Sequence, residues 1–369
     1  MSKKMNSLPS EQNKNSLLMR IYKNPYFRYL LFGVFLALFP VAASIGVIPN
    51  SFVTLMGSVL IYSVVGLGLN LLLGYSGLIS LGTAGFMGLG AYLAGYLTTV
   101  VEAPFLLGLV AALFVAALIG VVVGFVSLRV AGIYLAIATL CVAEILRKTF
   151  EELEWLTNGF SGLQGSYPSF FGQKLGRSGT YILVTIVLIL IMMLTHNLVN
   201  GQLGRALHAM RGSEVAAQAM GINLLKYRLI IFAIASCYAA LGGVLYVHFV
   251  RYSFPTTWVM MFSLQILGAV VIGGLRSIYG TVFGAFIIFA IPDMVLKPLF
   301  GDIDGLPYVF TGVLIILVVM FYPSGVKGLR DDLIRLFRFL WGKWKGSKAY
   351  QKRAQKRALK RGKKLEGGL

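Results

Sequence analysis

From Tyr29 to Val101 the chain carries no charged side chain, and that run of 73 residues constrains the fold more than any other feature. As a single helix rising 1.5 Å per residue it would be a rod of about 110 Å, against a bilayer core of about 30 Å. It must fold back, and Pro49-Asn50 offers the first turn, so three spans are expected in it. Further charge-free runs cover 103–128, 130–143, 178–204, 229–250, 252–275, 277–292 and 305–326, which brings the expected number to ten. The runs are continuously apolar, whereas barrel strands alternate over about ten residues, so the spans are read as helices. The expected fold is an all-α integral membrane protein of about ten transmembrane helices. Residues 29–48 are too long for a signal-peptide core and are read as an uncleaved first span.

Charge then fixes the orientation. The chain is 57% hydrophobic and 12% charged, yet its formal net charge is +20. Of 33 Lys and Arg, 6 lie in residues 1–28 and 15 in residues 327–369. This end-loaded pattern excludes a basic DNA-reading domain, and no specific nucleic acid is expected as a partner. Ten spans with both termini cytoplasmic place 27 Lys and Arg inside and 6 outside, as the positive-inside rule requires. The resulting organisation is a basic cytoplasmic N-tail (1–28), a polytopic transmembrane domain (29–326) and a C-terminal segment (327–369). In that segment Leu333, Leu336, Leu340 and Trp344 recur at helical spacing, which describes an interfacial helix. The basic tail beyond it is expected to lie over anionic lipid. Cys141 and Cys237 lie in apolar runs and read as small buried hydrophobes rather than a disulfide or zinc site.

Two connections are long, and they face opposite compartments: an outer loop at 148–178 and an inner loop at 201–228. The outer loop mixes Glu151, Glu152 and Glu154 with aromatics. It suits an external partner, or an interfacial belt with Trp155, Tyr167 and Phe170 at headgroup level. In the inner loop Arg205 to Met220 reads as one short helix of small and apolar residues, stopped by Gly221. Such a helix suits docking into a cleft on a cytoplasmic subunit, and an amphipathic linker on the membrane surface would explain it equally well.

The spacing Glu214, Ala216, Ala217 and Gly221 resembles the EAA-type loop with which permeases of bacterial ATP-driven (ABC) importers present a coupling helix to their ATPase. Three further stretches, GLNLLLGYSGLISLGTAGFMGLGAYLAGYL (67–97), LRVAGIYLAIATLCVAEILR (128–147) and LGAVVIGGLRSIYGTVFGA (267–285), resemble the LivM-type branched-chain amino acid permeases. The likeness covers roughly residues 30–325. Thr83 stands where relatives often have His, and NGFSGLQG is a loose version of their outer loop. The resemblance implies a subunit of the bacterial inner membrane working with a LivH-like second permease, two cytoplasmic ATPases and an extracytoplasmic binding protein. It implies no cofactor on this chain, with ATP and Mg used by the ATPases, and the sequence lacks a Gly-Lys-Ser/Thr phosphate loop of its own. Gly204, Arg205, Arg211, Glu214, Ala216, Ala217 and Gly221 are then expected to couple to the ATPase.

For the translocation path the candidates are Gly74, Tyr75, Ser76, Gly77, Ser80, Gly82, Gly85 and Gly88. Clustered glycines permit either close helix packing or a broken helix whose free backbone groups serve a passing zwitterion. A second cluster (Gly268, Gly273, Gly274, Gly280, Gly284) suits an inverted repeat. Glu144 precedes Arg147 and Lys148, and Asp293 precedes Lys297, at helical ion-pair spacing; both sets are expected to gate the external mouth. His196 and His248 sit near span ends and read as interface residues. Three readings remain: a branched-chain amino acid importer, a related permease for urea, amides, ribose or nucleosides, and an ion-coupled carrier, for which only Glu144 and Asp293 offer a buried carboxylate. No nucleophile with a nearby base is available for an enzyme.

Overall fold

A computed structural model describes residues 24–46, 49–126, 132–170, 173–301, 305–321 and 325. The interfacial helix and basic tail expected at 327–369, and most of the N-tail, lie outside the described residues. Ten helices correspond to the ten expected spans, three of them in the first charge-free run and one in each of the other seven. They are α1 (Pro25–Ser44), α2 (Asn50–Asn70), α3 (Thr83–Thr99), α4 (Phe105–Val126) and α5 (Ile133–Glu152). After the outer loop comes α6 (Arg177–Asn200), followed by two surface helices, α7 (Gln202–Gly212) and α8 (Glu214–Ala219). The chain then returns through α9 (Leu224–Val250), α10 (Met260–Gly273), α11 (Ile278–Ala285) and α12 (Leu306–Phe321). A π-helical turn, Leu71–Ser76, extends α2, and two more, Phe286–Ala290 and Pro292–Leu296, extend α11.

Six of these helices are long and apolar enough to cross a bilayer, among the described residues. The other four differ for visible reasons. Helix α5 runs past its apolar stretch into Glu144, Arg147, Lys148 and Glu151, while α3, α10 and α12 have 17, 14 and 16 residues. The run 252–275 is shorter as a helix than as a charge-free stretch. Tyr252–Ser253 forms a strand, Pro255 opens a 3₁₀ turn, and the buried Trp258 indole donates to Ser253 Oγ at 3.1 Å, so α10 starts only at Met260.

Helices α2 and α9 form the centre of the bundle: 72% of each one's most apolar window is buried, against 22% for α1. Small residues bring the central helices together. A side chain at Gly243 would lie 1.8 Å from the Met87 carbonyl oxygen, and one at Gly90 would lie 2.1 Å from that of Ala240. Helices α3 and α9 therefore cross backbone to backbone, as close helix contacts in lipid require. The later glycines close the α10–α11 hairpin in the same way, Gly273 against Gly280 and Gly284 against Ala269.

Contacts sort the connections to two ends. One end gathers the start of α1, the end of α2, α7 and Arg276: the Tyr26 hydroxyl bonds Asn197, and Arg211 and Arg276 both reach Gly74. The opposite end gathers 153–176 and 251–259. There Leu163–Gln164 (β1) pairs antiparallel with Tyr252–Ser253 (β2), and the Tyr92 hydroxyl donates to the Ser253 carbonyl at 3.1 Å.

Candidate functional site

The 201–228 connection folds as two helices rather than one. Gly212 ends α7, and Ser213, with extended φ/ψ of −161° and 118°, caps α8 by accepting from the Ala216 amide at 3.2 Å. A serine in that conformation starts a new helix instead of continuing the old one. Gly221 stops α8 as expected. Its φ of +82° allows its own amide to reach the Gln218 carbonyl (2.9 Å) and that of Ile222 to reach Ala217 (3.0 Å), the Schellman closure.

The loop is held on both sides. Gly204 is buried in the α6–α7 turn, where a side chain would lie 1.7 Å from the Val199 carbonyl oxygen. At the other side Glu214 pairs with Arg228, whose side chain is 7% exposed. Ala217 is buried, while Arg205 and Ala216 face outward. Val215 and Met220 also face outward, at 78% and 83% exposure.

The centre of the site is the carbonyl of Gly74. It lies where α2 unwinds into its π-turn, among the carbonyls that a helix end leaves unsatisfied. Arg211, one residue before the end of α7, donates to it through Nη1, and Arg276 donates through Nε at 3.0 Å. Two cations on one carbonyl suit the negative end of a helix dipole. Loss of hydration, with the like charge of Arg276 added, pulls Arg211 below the usual arginine range. An arginine so shifted still keeps its proton at neutral pH. Asn70 locks the same point: its Oδ1 accepts from the Arg276 amide at 3.0 Å and its Nδ2 donates to Thr281 Oγ1 at 2.7 Å. The Tyr75 hydroxyl donates to the Arg276 carbonyl at 3.0 Å, and its ring meets His208 of α7 edge-on at 5.5 Å.

The helix break is real and lies at 77–82, between the π-turn and α3. Several of the amides at and just after it differ from expectation in being taken. Thr139 of α5 accepts from the Leu81 amide (2.9 Å), Ser80 from Gly82 (3.3 Å) and Ser263 of α10 from Ala84 (2.9 Å). The Ser76 hydroxyl donates back to Leu72. Gly77 has φ +78° and lies beside the Arg211 side chain. Gly82, Gly85 and Gly88 seat neighbours: a side chain at Gly85 would lie 2.6 Å from Ala143 Cα, and one at Gly88 2.7 Å from the Phe150 ring.

Beyond Ala143, α5 carries a charged cluster. Arg147 Nε donates to both oxygens of Glu144 (3.0 and 2.9 Å), and its Nη1 reaches the buried Glu151. Lys148 pairs with Glu151 at 2.7 Å and not with Glu144. Asp293 and Lys297 pair at 2.8 Å. Helix α5 also corrects the reading of Cys141, which is exposed, while Cys237 is half-buried. Ile133, Tyr134, Ile137, Cys141, Glu144, Ile145 and Lys148 form an open stripe because α5 packs mainly on α3, through the opposite face. At the same end Tyr167 lies under the Arg251 guanidinium at 4.9 Å, Trp155 is 71% exposed, and a cleft of about 740 Å³ opens between the 153–176 and 251–259 connections. His248 is buried, its Nδ1 2.7 Å from the Val244 carbonyl.

A sequence profile described as "Branched-chain amino acid transport system / permease component" matches residues 51–319, which takes in every element of this site. The chain belongs to that permease family. The permease is 28% identical over 302 residues to the high-affinity branched-chain amino acid permease protein LivM of Escherichia coli K12, covering 75% of this chain and 70% of that one. It is 27% identical over 239 residues to a probable LivM of Methanocaldococcus jannaschii, covering 59% and 68%. The ribose import permease RbsC of Haemophilus influenzae is 28% identical over 198 residues, covering 51% and 60%. No solved structure matches.

Sequence reasoning placed Arg211 with the coupling residues and Gly74 with the path; the structure joins them. It missed Arg276, Asn70, Arg228 and Glu151 as site residues. Asn70 left a signal, being an amide side chain inside a charge-free run, and so did Arg276, the lone charge between two apolar runs.

Proposed function

We propose that this multi-pass permease is the transmembrane subunit of an ATP-driven importer for branched-chain amino acids in the bacterial inner membrane, with α7–α8 and both termini on the cytoplasmic side. One observation carries the mechanism: a surface helix pair with exposed Val215 and Met220 is tied through Arg211 to the carbonyl at the helix break. Motion of an ATPase docked on α8 passes through Gly204, Arg205, Glu214, Ala216, Ala217 and Gly221 to Gly74, and so to the break between α2 and α3. The names of the curated relatives support the substrate and, through LivH as well as LivM, a second permease subunit; a binding protein at the opposite end completes the importer.

Helix α5 supports a conduit at the junction with that second subunit. Glu144 lies about 16 Å along the helix from Ile133, near the middle of a bilayer core of about 30 Å. Its side chain is 49% exposed in this chain. A carboxylate there is too costly to face hydrocarbon, so the stripe faces protein or water. The glycines of α3, with Tyr75, Ser76 and Ser80 before them, back this wall and seat α5. Arg147 carries the Glu144 pair about one turn further toward the external side, where Asp293–Lys297 lies.

Gly221→Pro tests the lever. Proline cannot adopt a φ of +82° and has no amide to donate, so α8 loses its stop. The assembled importer, reconstituted with ATP inside the vesicles, should insert normally and hydrolyse ATP while leucine uptake falls by about tenfold or more. Unchanged uptake per ATP would refute the lever. The conduit is tested by a spin label on Cys141 in a Cys237→Ser background. In the assembled complex it should collide with lipid-dissolved oxygen far less than a label at Phe114→Cys on α4, which is 69% exposed. Equal collision rates would mean that the stripe faces lipid.

A further inference from the structure

A second cleft, of about 530 Å³, lies at the end opposite α7–α8, between α2, α11 and the start of α6. Ser51, Thr54 and Ser58 line one wall, at helical spacing on a single face of α2. The Thr54 and Ser58 hydroxyls donate to carbonyls one turn back, at 3.1 and 3.2 Å, which leaves their oxygens as acceptors toward the cleft. The floor is apolar: Val59 and the Phe289 ring, whose centroid is 4.4 Å from that of Tyr62. Two opposite charges complete it, Arg177 at the first turn of α6 and Asp293 on α11. Asp293 engages Lys297 through Oδ1 and remains 40% exposed. On this side α11 is π-helical on both flanks of Ile291, a distortion that frequently marks functional sites.

Depth identifies the class of ligand. Ser51 and Arg177 begin their helices and so lie at headgroup level, while Tyr62 is about 18 Å further along α2, roughly the depth of one leaflet. A groove that is charged where it opens, hydroxylated below and apolar at the bottom matches one phospholipid molecule. We propose that this cleft binds a phospholipid with a zwitterionic, ethanolamine-type headgroup. Its phosphate pairs with Arg177, its ammonium with Asp293, and an acyl chain lies over Val59 and Phe289. Lys297 takes Oδ1 of Asp293, and a glycerol-type headgroup brings no second cation to Oδ2 while an ethanolamine ammonium does, which gives the site its preference. A free amino acid carries the same two charges but leaves the apolar floor uncovered. The proposal does not depend on the transport reading.

The test uses the full chain, purified from membranes and presented with equal ethanolamine and glycerol phospholipids, and lipid retention is read by native mass spectrometry. Ethanolamine lipid should be retained in excess. Arg177→Gln and Asp293→Asn, both at exposed positions, should each lower that excess by about tenfold, the scale of one charge-assisted contact. Asp293→Lys should turn the preference toward the glycerol lipid, a gain that misfolding would not produce. Retention in the bulk ratio, or an excess unaltered in all three variants, would overturn the proposal. Displacement of the retained lipid by free leucine would overturn it too, and would assign the cleft to an amino acid.

Discussion

Arg211→Ala is expected to leave the assembled importer hydrolysing ATP while leucine uptake per ATP falls by about tenfold to a hundredfold, since a hydrogen bond to a charged group contributes ~1.5–3 kcal/mol. The guanidinium joins α7 to the unwound end of α2 beside the His208–Tyr75 ring contact, and Arg276 already occupies the same carbonyl from another direction. Removing one cation therefore frees the lever without removing all support from Gly74. Arg276→Ala should behave differently, because the same residue's backbone is held by Asn70 and Tyr75 whatever its side chain. Loss of its side chain leaves Arg211 as the remaining cation on the carbonyl, and uptake should fall less. The two variants and their double mutant form a cycle, measured as uptake and phosphate release from the same vesicles. Strict additivity would mean that the two arginines do not act on one shared group.

Gly243→Ala is expected to abolish the folded protein. The added carbon would lie 1.8 Å from the Met87 carbonyl oxygen, and both partners are backbone of central helices, so no side chain can move aside. Separating α3 from α9 would disturb packing along the whole crossing, and a cost at or beyond the top of the ~1–3 kcal/mol range for overpacking is expected, because backbone meets backbone. Gly212→Ala is the control: it lies at the end of α7, and a side chain there meets nothing within 4 Å. Fluorescence-detected size-exclusion of both variants from the same membranes checks this. A monodisperse peak of ordinary yield from Gly243→Ala would show that the crossing is looser than described.

Much of this architecture was legible from composition and spacing, because a bilayer leaves few options. An uncharged run of 73 residues has to fold back, and the apolar runs marked where α1 to α6 and α9 to α12 pass. The Schellman stop at Gly221 was legible as well, since a glycine after a helical stretch has a local cause. The split at Ser213 was missed for a related reason: serine tolerates helix and caps alike, so nothing local decides which role it takes. The exposure of Cys141 and the burial of Glu151 were hidden because both depend on which neighbours α5 lacks.

The chain's own residues, taken in order, thus determined that it spans a membrane repeatedly, where it turns, and which two connections between helices are long. Hydropathy and turn chemistry act over a few residues and are written there. Only the tertiary structure decided that Arg211, Asn70, Gly74 and Arg276 meet, because hydrogen bonds between groups some 130 to 210 positions apart depend on how helices cross. The same holds for the hydroxyls of Thr139 and Ser263, which reach the helix break from two other spans. No local pattern records such a meeting; close packing of small residues creates it.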